Sequence, residues 1–136
     1  MTWTRRCVLA VAVFIVATSA ARADGDIASG EKIYKTQCIT CHTIGKGEKA
    51  KTGPNLFGIY GQKPAHFDGY RYSKSYPLAA DKGTIWDDAA LNAYLEDPVK
   101  FIRKAADDAK GQSKMTFNVK KAKDREDVIS YLKTQK

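Results

Sequence analysis

Side chains that can ligate a metal or form a covalent bridge are scarce, at three cysteines, two methionines and two histidines in 136 residues. No apolar run reaches the ~20 residues that a bilayer-spanning helix needs. The sequence has no hairpin signal, no alternating strand run, no internal repeat and no low-complexity tract, so the expected class is all-α. A length of 136 residues leaves no room for a second domain, since single domains run to roughly 100 to 200 residues. With 43% hydrophobic and 28% charged residues, the composition excludes both the disordered and the membrane classes. Acidic residues are also few, and the formal net charge is +8. Such a balance points to an acidic partner, whether nucleic acid, an anionic membrane or an acidic protein face, and charge by itself does not choose among them.

The first 23 residues read as a cleavable secretory signal. Arg5 and Arg6 give a charged start, Cys7 to Ala17 is uninterruptedly apolar, and Ala21-Arg22-Ala23 has the small-x-small form of a cleavage site. Cleavage is expected after Ala23, leaving one domain over 24–136. Loss of Arg5, Arg6 and Arg22, with no acid among the 23, lowers the net charge from +8 to +5. Cys7 leaves as well, so Cys38 and Cys41 remain in an oxidising compartment as a disulfide, a metal site or a covalent cofactor anchor.

Along the remaining chain, Asp26 to Gln37 predicts a short helix, with Asp26 or Ser29 as its cap and Ile33 and Tyr34 among its apolar contacts. Between Gly45 and Tyr72 lie six glycines, Pro54 and Pro64. That stretch is loop, to be organised by something other than its own hydrogen bonds, such as a buried cofactor. Asp87 is placed to cap a helix carrying Leu91, Tyr94 and Leu95 on one stripe. This helix ends at Asp97-Pro98, where Pro98 suits the first turn of another helix reaching about Ala106. Asp124 to Lys133 predicts a final helix with Val128, Ile129 and Leu132 at helical spacing. A core built from four such short helices is thin, and an inserted cofactor would add apolar surface worth about 25 cal/mol per Å² buried.

Cys38-Ile39-Thr40-Cys41-His42 is the C-x-x-C-H signature of covalent haem attachment. Two thiols a helical turn apart can add to the two vinyl groups on one side of the porphyrin, while the next residue brings its imidazole under the iron. A thioredoxin-like pair would need a βαβ context, and a zinc site would need a fourth ligand, for which the only remaining histidine is His66, in a glycine-rich loop. For the sixth iron position the chain without its signal offers one methionine, Met115, and one spare histidine, His66. Met115 lies in a polar loop where a core methionine would be odd, and Met/His ligation is that of electron-transfer haem proteins, so Met115 is favoured over His66.

Five segments together resemble the class I c-type cytochromes, in particular the bacterial cytochrome c2 group and mitochondrial cytochrome c. They are GEKIYKTQCITCH, KTGPNLFGIYG, the tryptophan-to-proline stretch from Trp86 to Pro98, KMTF and DVISYLK, and they span the whole chain after the signal. The resemblance implies a small cytochrome c fold, four or five short helices and long loops wrapped around one covalently bound haem c. It implies that Cys38 and Cys41 are thioether anchors and that His42 and Met115 are the axial ligands. Pro54 then matches the carbonyl that accepts from the ligand imidazole, Tyr72 and Trp86 the donors to a buried propionate, Tyr94 the tyrosine beside the methionine sulfur, and Phe117 the aromatic shielding the haem edge. Gly30 and Tyr34 match positions that pack on the C-terminal helix at Val128 and Tyr131. Gln62 stands where an arginine usually helps hold a propionate, and Phe101 to Lys114 and Ser73 to Thr84 are longer than in mitochondrial members.

The same resemblance implies a monomeric, periplasmic electron carrier, not an enzyme, since both axial positions are filled. The competing enzyme class, a haem peroxidase, requires an open distal side. The implied partners are membrane redox complexes, such as cytochrome bc1 and a photosynthetic reaction centre or terminal oxidase. They would be met through a lysine-rich face formed by Lys49, Lys51, Lys100, Lys104, Lys110, Lys114, Lys120 and Lys121. Stable membrane insertion is not expected, and neither is nucleic acid, for which no aromatic-interleaved basic motif is present.

Overall fold

The computed structural model describes residues 24–136; the expected signal segment, with Cys7 and the cleavage site after Ala23, lies outside the described residues. Five α-helices and no strand are found among them.

Helix α1 (Ile27–Ile33) begins where the Asp26 carboxylate accepts from the Ser29 amide at 2.6 Å, so Asp26 is the cap. It continues without a break into one π-helical turn, Tyr34–Cys38, a local widening common at functional sites. Helix α3 (Asp88–Glu96) is capped by Asp87, and α4 (Pro98–Ala106) by Asp97 with Pro98 at its first position, as the sequence predicts. Helix α5 (Ala122–Thr134) starts two residues before the predicted Asp124 and buries Val128, Ile129 and Leu132.

Helix α2 (Ser75–Asp81) arises in a segment where the sequence predicts none. It has no side-chain cap, it carries Pro77 in its first turn, and Gly83 stops it at a positive φ of 86°. Only Tyr76 and Ala79 supply buried apolar side chains, too few for a helical period to be visible in seven residues.

Helix α1 crosses α5, α2 lies on α4, and α3 touches both α4 and α5. At the first crossing, a Cβ on Gly30 would sit 2.0 Å from the Asp127 carbonyl oxygen and 2.8 Å from the Tyr131 Cβ. The Tyr34 and Tyr131 rings meet at 5.7 Å. Tyr131 is met as expected, the atoms nearest Gly30 are those of the Asp127 backbone beside the expected Val128, and Val128 borders the central cavity.

The glycine-rich loop has more internal order than its composition suggests. Buried Asn55 donates to the carbonyls of Gly45 and Glu48 (2.8 Å each) and accepts from the Phe57 amide (2.7 Å). The Glu48 carboxylate accepts from the amides of Gly45 (2.7 Å) and Ile44 (3.2 Å). These side chains order residues 44–57 through the loop's own hydrogen bonds, a source of order that the sequence expectation did not include.

Candidate functional site

The π turn at the end of α1 passes into one further helical turn that carries the C-x-x-C-H segment. The amides of Cys41 and His42 both return to the Cys38 carbonyl, at 3.0 and 2.9 Å. Cys38 is half-buried and Cys41 exposed, and the two are not joined to each other. Before haem is attached, burial and then the neighbouring Cys41 push the Cys38 thiol up to about 11. The carbonyls of the turn are taken up by neighbours. Tyr34 Oη donates to His42 O (3.0 Å), Lys51 Nζ to Ile39 O (2.9 Å), and the Gly53 amide to Cys41 O (2.7 Å). Burial, with Cys38 nearby, raises the Tyr34 phenol to about 12 and keeps it a donor.

His42 Nδ1 lies 2.8 Å from the Pro54 carbonyl oxygen. A carbonyl can only accept, so Nδ1 carries the proton and Nε2 is left with its lone pair free. Burial holds the imidazole pKa below its ordinary value, with the Pro54 contact opposing, which favours the neutral ring that a metal requires. The fit is tight: a Cβ on Gly53 would stand 2.4 Å from His42 Cε1 and 2.7 Å from Nδ1.

Beside this imidazole opens a mainly apolar cavity of about 490 Å³. All nine residues singled out from the sequence border it: Cys38, Cys41, His42, Pro54, Tyr72, Trp86, Tyr94, Met115 and Phe117. Trp86 is buried, edge-on to Tyr94 at 4.9 Å and stacked on Phe101 at 5.6 Å, while Phe117 is half exposed. Tyr72 packs against Tyr70 and Tyr76, and burial pushes its phenol up to about 12. Gln62, expected near a propionate, is exposed and engages Trp86 through backbone hydrogen bonding, its carbonyl accepting from the Trp86 amide at 2.8 Å.

The loop between α4 and α5 presents Met115. Arg103 Nε donates to Gly111 O (3.0 Å), Ser73 Oγ to Gln112 O (2.5 Å), and the Gln112 amide to Ser75 Oγ (3.1 Å). His66 also borders the cavity, so location alone does not separate the two candidates for the sixth position. Sequence reasoning missed Gly53, which makes room for the imidazole, and Tyr76, which joins Tyr94 to the Met115 loop. Tyr34 was read as a packing residue without its hydrogen bond to His42. The Gly53-Pro54 pair was a usable signal, because a glycine beside a carbonyl that must approach a ring needs no side chain.

Two thiols, an imidazole with a free Nε2 and a thioether around one apolar cavity fit a covalently bound haem in donor chemistry and in lining. The cytochrome c family model matches residues 27–136. Cytochrome c2 of Rhodospirillum rubrum is 47% identical over 131 residues, covering 94% of this chain and 96% of that one. Cytochrome c-550 of Novispirillum itersonii is 46% identical over 112 residues, 82% and 100% of the two chains. The structure of cytochrome c2 from Rhodospirillum centenum matches with a TM-score of 0.76 at 36% identity, covering 82% of this chain and 98% of that one. With its attachment motif at Cys38 and Cys41, the chain belongs to the cytochrome c family, electron carriers that hold covalently attached haem c.

Proposed function

We propose that this chain is a monomeric, periplasmic one-electron carrier, exported by a signal cleaved after Ala23, which shuttles between membrane redox complexes such as cytochrome bc1 and a photosynthetic reaction centre or terminal oxidase. Cys38 and Cys41 are its thioether anchors, and His42 and Met115 its axial ligands. The observation that carries the reading is the 2.8 Å contact between His42 Nδ1 and the Pro54 carbonyl, which aims a neutral imidazole Nε2 beside the two thiols. When bound, the haem supplies one-electron chemistry at its iron. The chain's own contribution is to anchor, orient and dry that group. Tyr34 and Pro54 hold His42 from both its backbone and its ring, and Ile59, Leu91, Leu95 and Leu132 border the cavity with apolar surface. Filling both axial positions leaves no site for oxygen or peroxide, so the chain is a carrier and not an enzyme.

Export is supported by the family match beginning at residue 27, just beyond the expected cleavage site. Among the described residues no helix is long and apolar enough to cross a membrane.

A redox titration with optical spectra of both states tests the reading. The oxidised protein should show the weak band of a sulfur–iron bond at the near-infrared edge. Met115→Ala should abolish it and let carbon monoxide bind the reduced form. Persistence of the band in that variant would reassign the ligand, and carbon monoxide binding by the unmodified protein would favour an enzyme.

A further inference from the structure

Behind the Met115 loop, three hydroxyl groups form a chain that ends on the loop's own backbone. Tyr94 Oη and Tyr76 Oη are 2.7 Å apart, Tyr76 Oη and Ser113 Oγ are 2.8 Å apart, and Ser113 Oγ donates to the Met115 carbonyl at 2.8 Å. Each hydroxyl has one proton to give. Because the terminal carbonyl can only accept, Ser113 spends its proton there. Tyr76 must then donate to Ser113, and Tyr94 to Tyr76. The order of protons along the chain is thereby fixed from one end. Tyr76 is buried, so loss of its partner would strand a polar group away from water.

The start of α2 and the residues just before it grip the loop twice more. Ser73 Oγ donates to Gln112 O, and Ser75 Oγ accepts from the Gln112 amide. Residues 73–76 thus bond to Gln112 and Ser113, three and two residues before Met115. Arg103 of α4 takes the Gly111 carbonyl just upstream. Helix α2 is short and has no side-chain cap.

We propose that Tyr76 is a positioning residue for the Met115 ligand: its phenol, placed between Tyr94 and Ser113, latches the loop that presents the thioether. The assignment rests on Met115 being the axial ligand. A latch of this kind sets how often the thioether leaves the iron, and an added ligand then binds in proportion to the fraction of open loop.

Equilibrium binding of imidazole to the oxidised, haem-loaded full chain, followed optically, measures that fraction. Tyr76→Phe keeps the ring against Tyr72 and Tyr94 but removes two hydrogen bonds, and it should tighten apparent imidazole binding about tenfold. Ser113→Ala should act alike. Tyr94→Phe should act in the same direction, because Tyr94 donates to Tyr76 and also interacts with Ser113. Ile129→Val, a buried change in α5 away from the cavity lining, should lower the melting temperature and leave imidazole affinity unchanged. If Tyr76→Phe leaves the affinity unchanged while Met115→Ala raises it, the latch is overturned and the ligand stands. Equal effects from Tyr76→Phe and Ile129→Val overturn it too, as a response to general loosening. If Met115→Ala itself leaves the affinity unchanged, the ligand assignment fails and the latch with it.

Discussion

His42 is oriented by one residue that attracts it and one that merely keeps out of its way. Pro54 offers a carbonyl to Nδ1, and Gly53 offers the absence of a side chain, since a Cβ there would lie 2.4 Å from Cε1. Gly53 does not have a positive φ, so its constraint is steric and not conformational. Gly53→Ala should therefore displace the imidazole from Pro54 and destabilise the protein by about 1–3 kcal/mol, as other overpacked sites do. Denaturant unfolding of the haem-loaded variant measures the loss, and an altered spectrum before unfolding would place it at the ligand. The attachment motif was legible in the sequence because its chemistry is local: Cys38, Cys41 and His42 share one turn, and spacing alone brings them together. Pro54, Tyr72 and Trp86 came only from family resemblance, because loops of no readable period carry them to the cavity. Tyr76 could not be read at all, since its partners Tyr94 and Ser113 are 18 and 37 residues away in sequence.

Among the elements, α3, α4 and α5 were readable from caps and apolar stripes, and α2 was not. The difference is physical. Asp87 and Asp97 announce their helices with side-chain caps, and Pro98 sits where a missing N–H is harmless, whereas α2 begins without a cap and holds a proline in its first turn. Helix α2 is held by tertiary contact with α4 and by the Met115 loop more than by its own propensity. The α1–α5 crossing is the opposite case: the glycine was legible as a close-approach residue and Tyr131 as its partner, while the Asp127 backbone was not. The atoms that would meet a new Cβ on Gly30 include the backbone carbonyl of Asp127, which cannot swing aside as a side chain can. The same crossing is tied by the Asp26 amide donating to Asp127 Oδ1 at 2.6 Å. Gly30→Val should cost at least about 1–3 kcal/mol, read as a lowered melting temperature, because the two helices must separate to admit it. A melting point unchanged within error would mean that the crossing is looser than these distances require.

Taken as a whole, the molecule carries its positive charge unevenly with respect to its ion pairs. The ion pairs fall on Lys35, Lys82, Lys123, Arg125 and Lys133, which meet acids on or beside the helices. The eight lysines assigned to the proposed docking face are all exposed. Two of them are bound to backbone at the site itself: Lys51 holds the Ile39 carbonyl inside the attachment motif, and Lys114 holds the Arg71 carbonyl with its ammonium 5.3 Å from the Tyr70 ring centre. Lys114 borders the cavity and adjoins Met115. Lys82, at the far end of α2, is not among the cavity-lining residues and pairs with Asp107 at 3.5 Å. If partners are found through this face, complementary charge should speed encounter by roughly 10- to 1,000-fold, and salt should screen it over about 8 Å at physiological strength. Electron transfer to an isolated membrane complex should then slow steeply as salt rises. Lys114→Glu should slow it more than Lys82→Glu at low salt, and the two should converge at high salt as screening removes the difference. Stopped-flow rates over a salt series decide the matter: a rate constant flat in salt, or equal losses from both reversals, would show that the lysines are only a solvated surface.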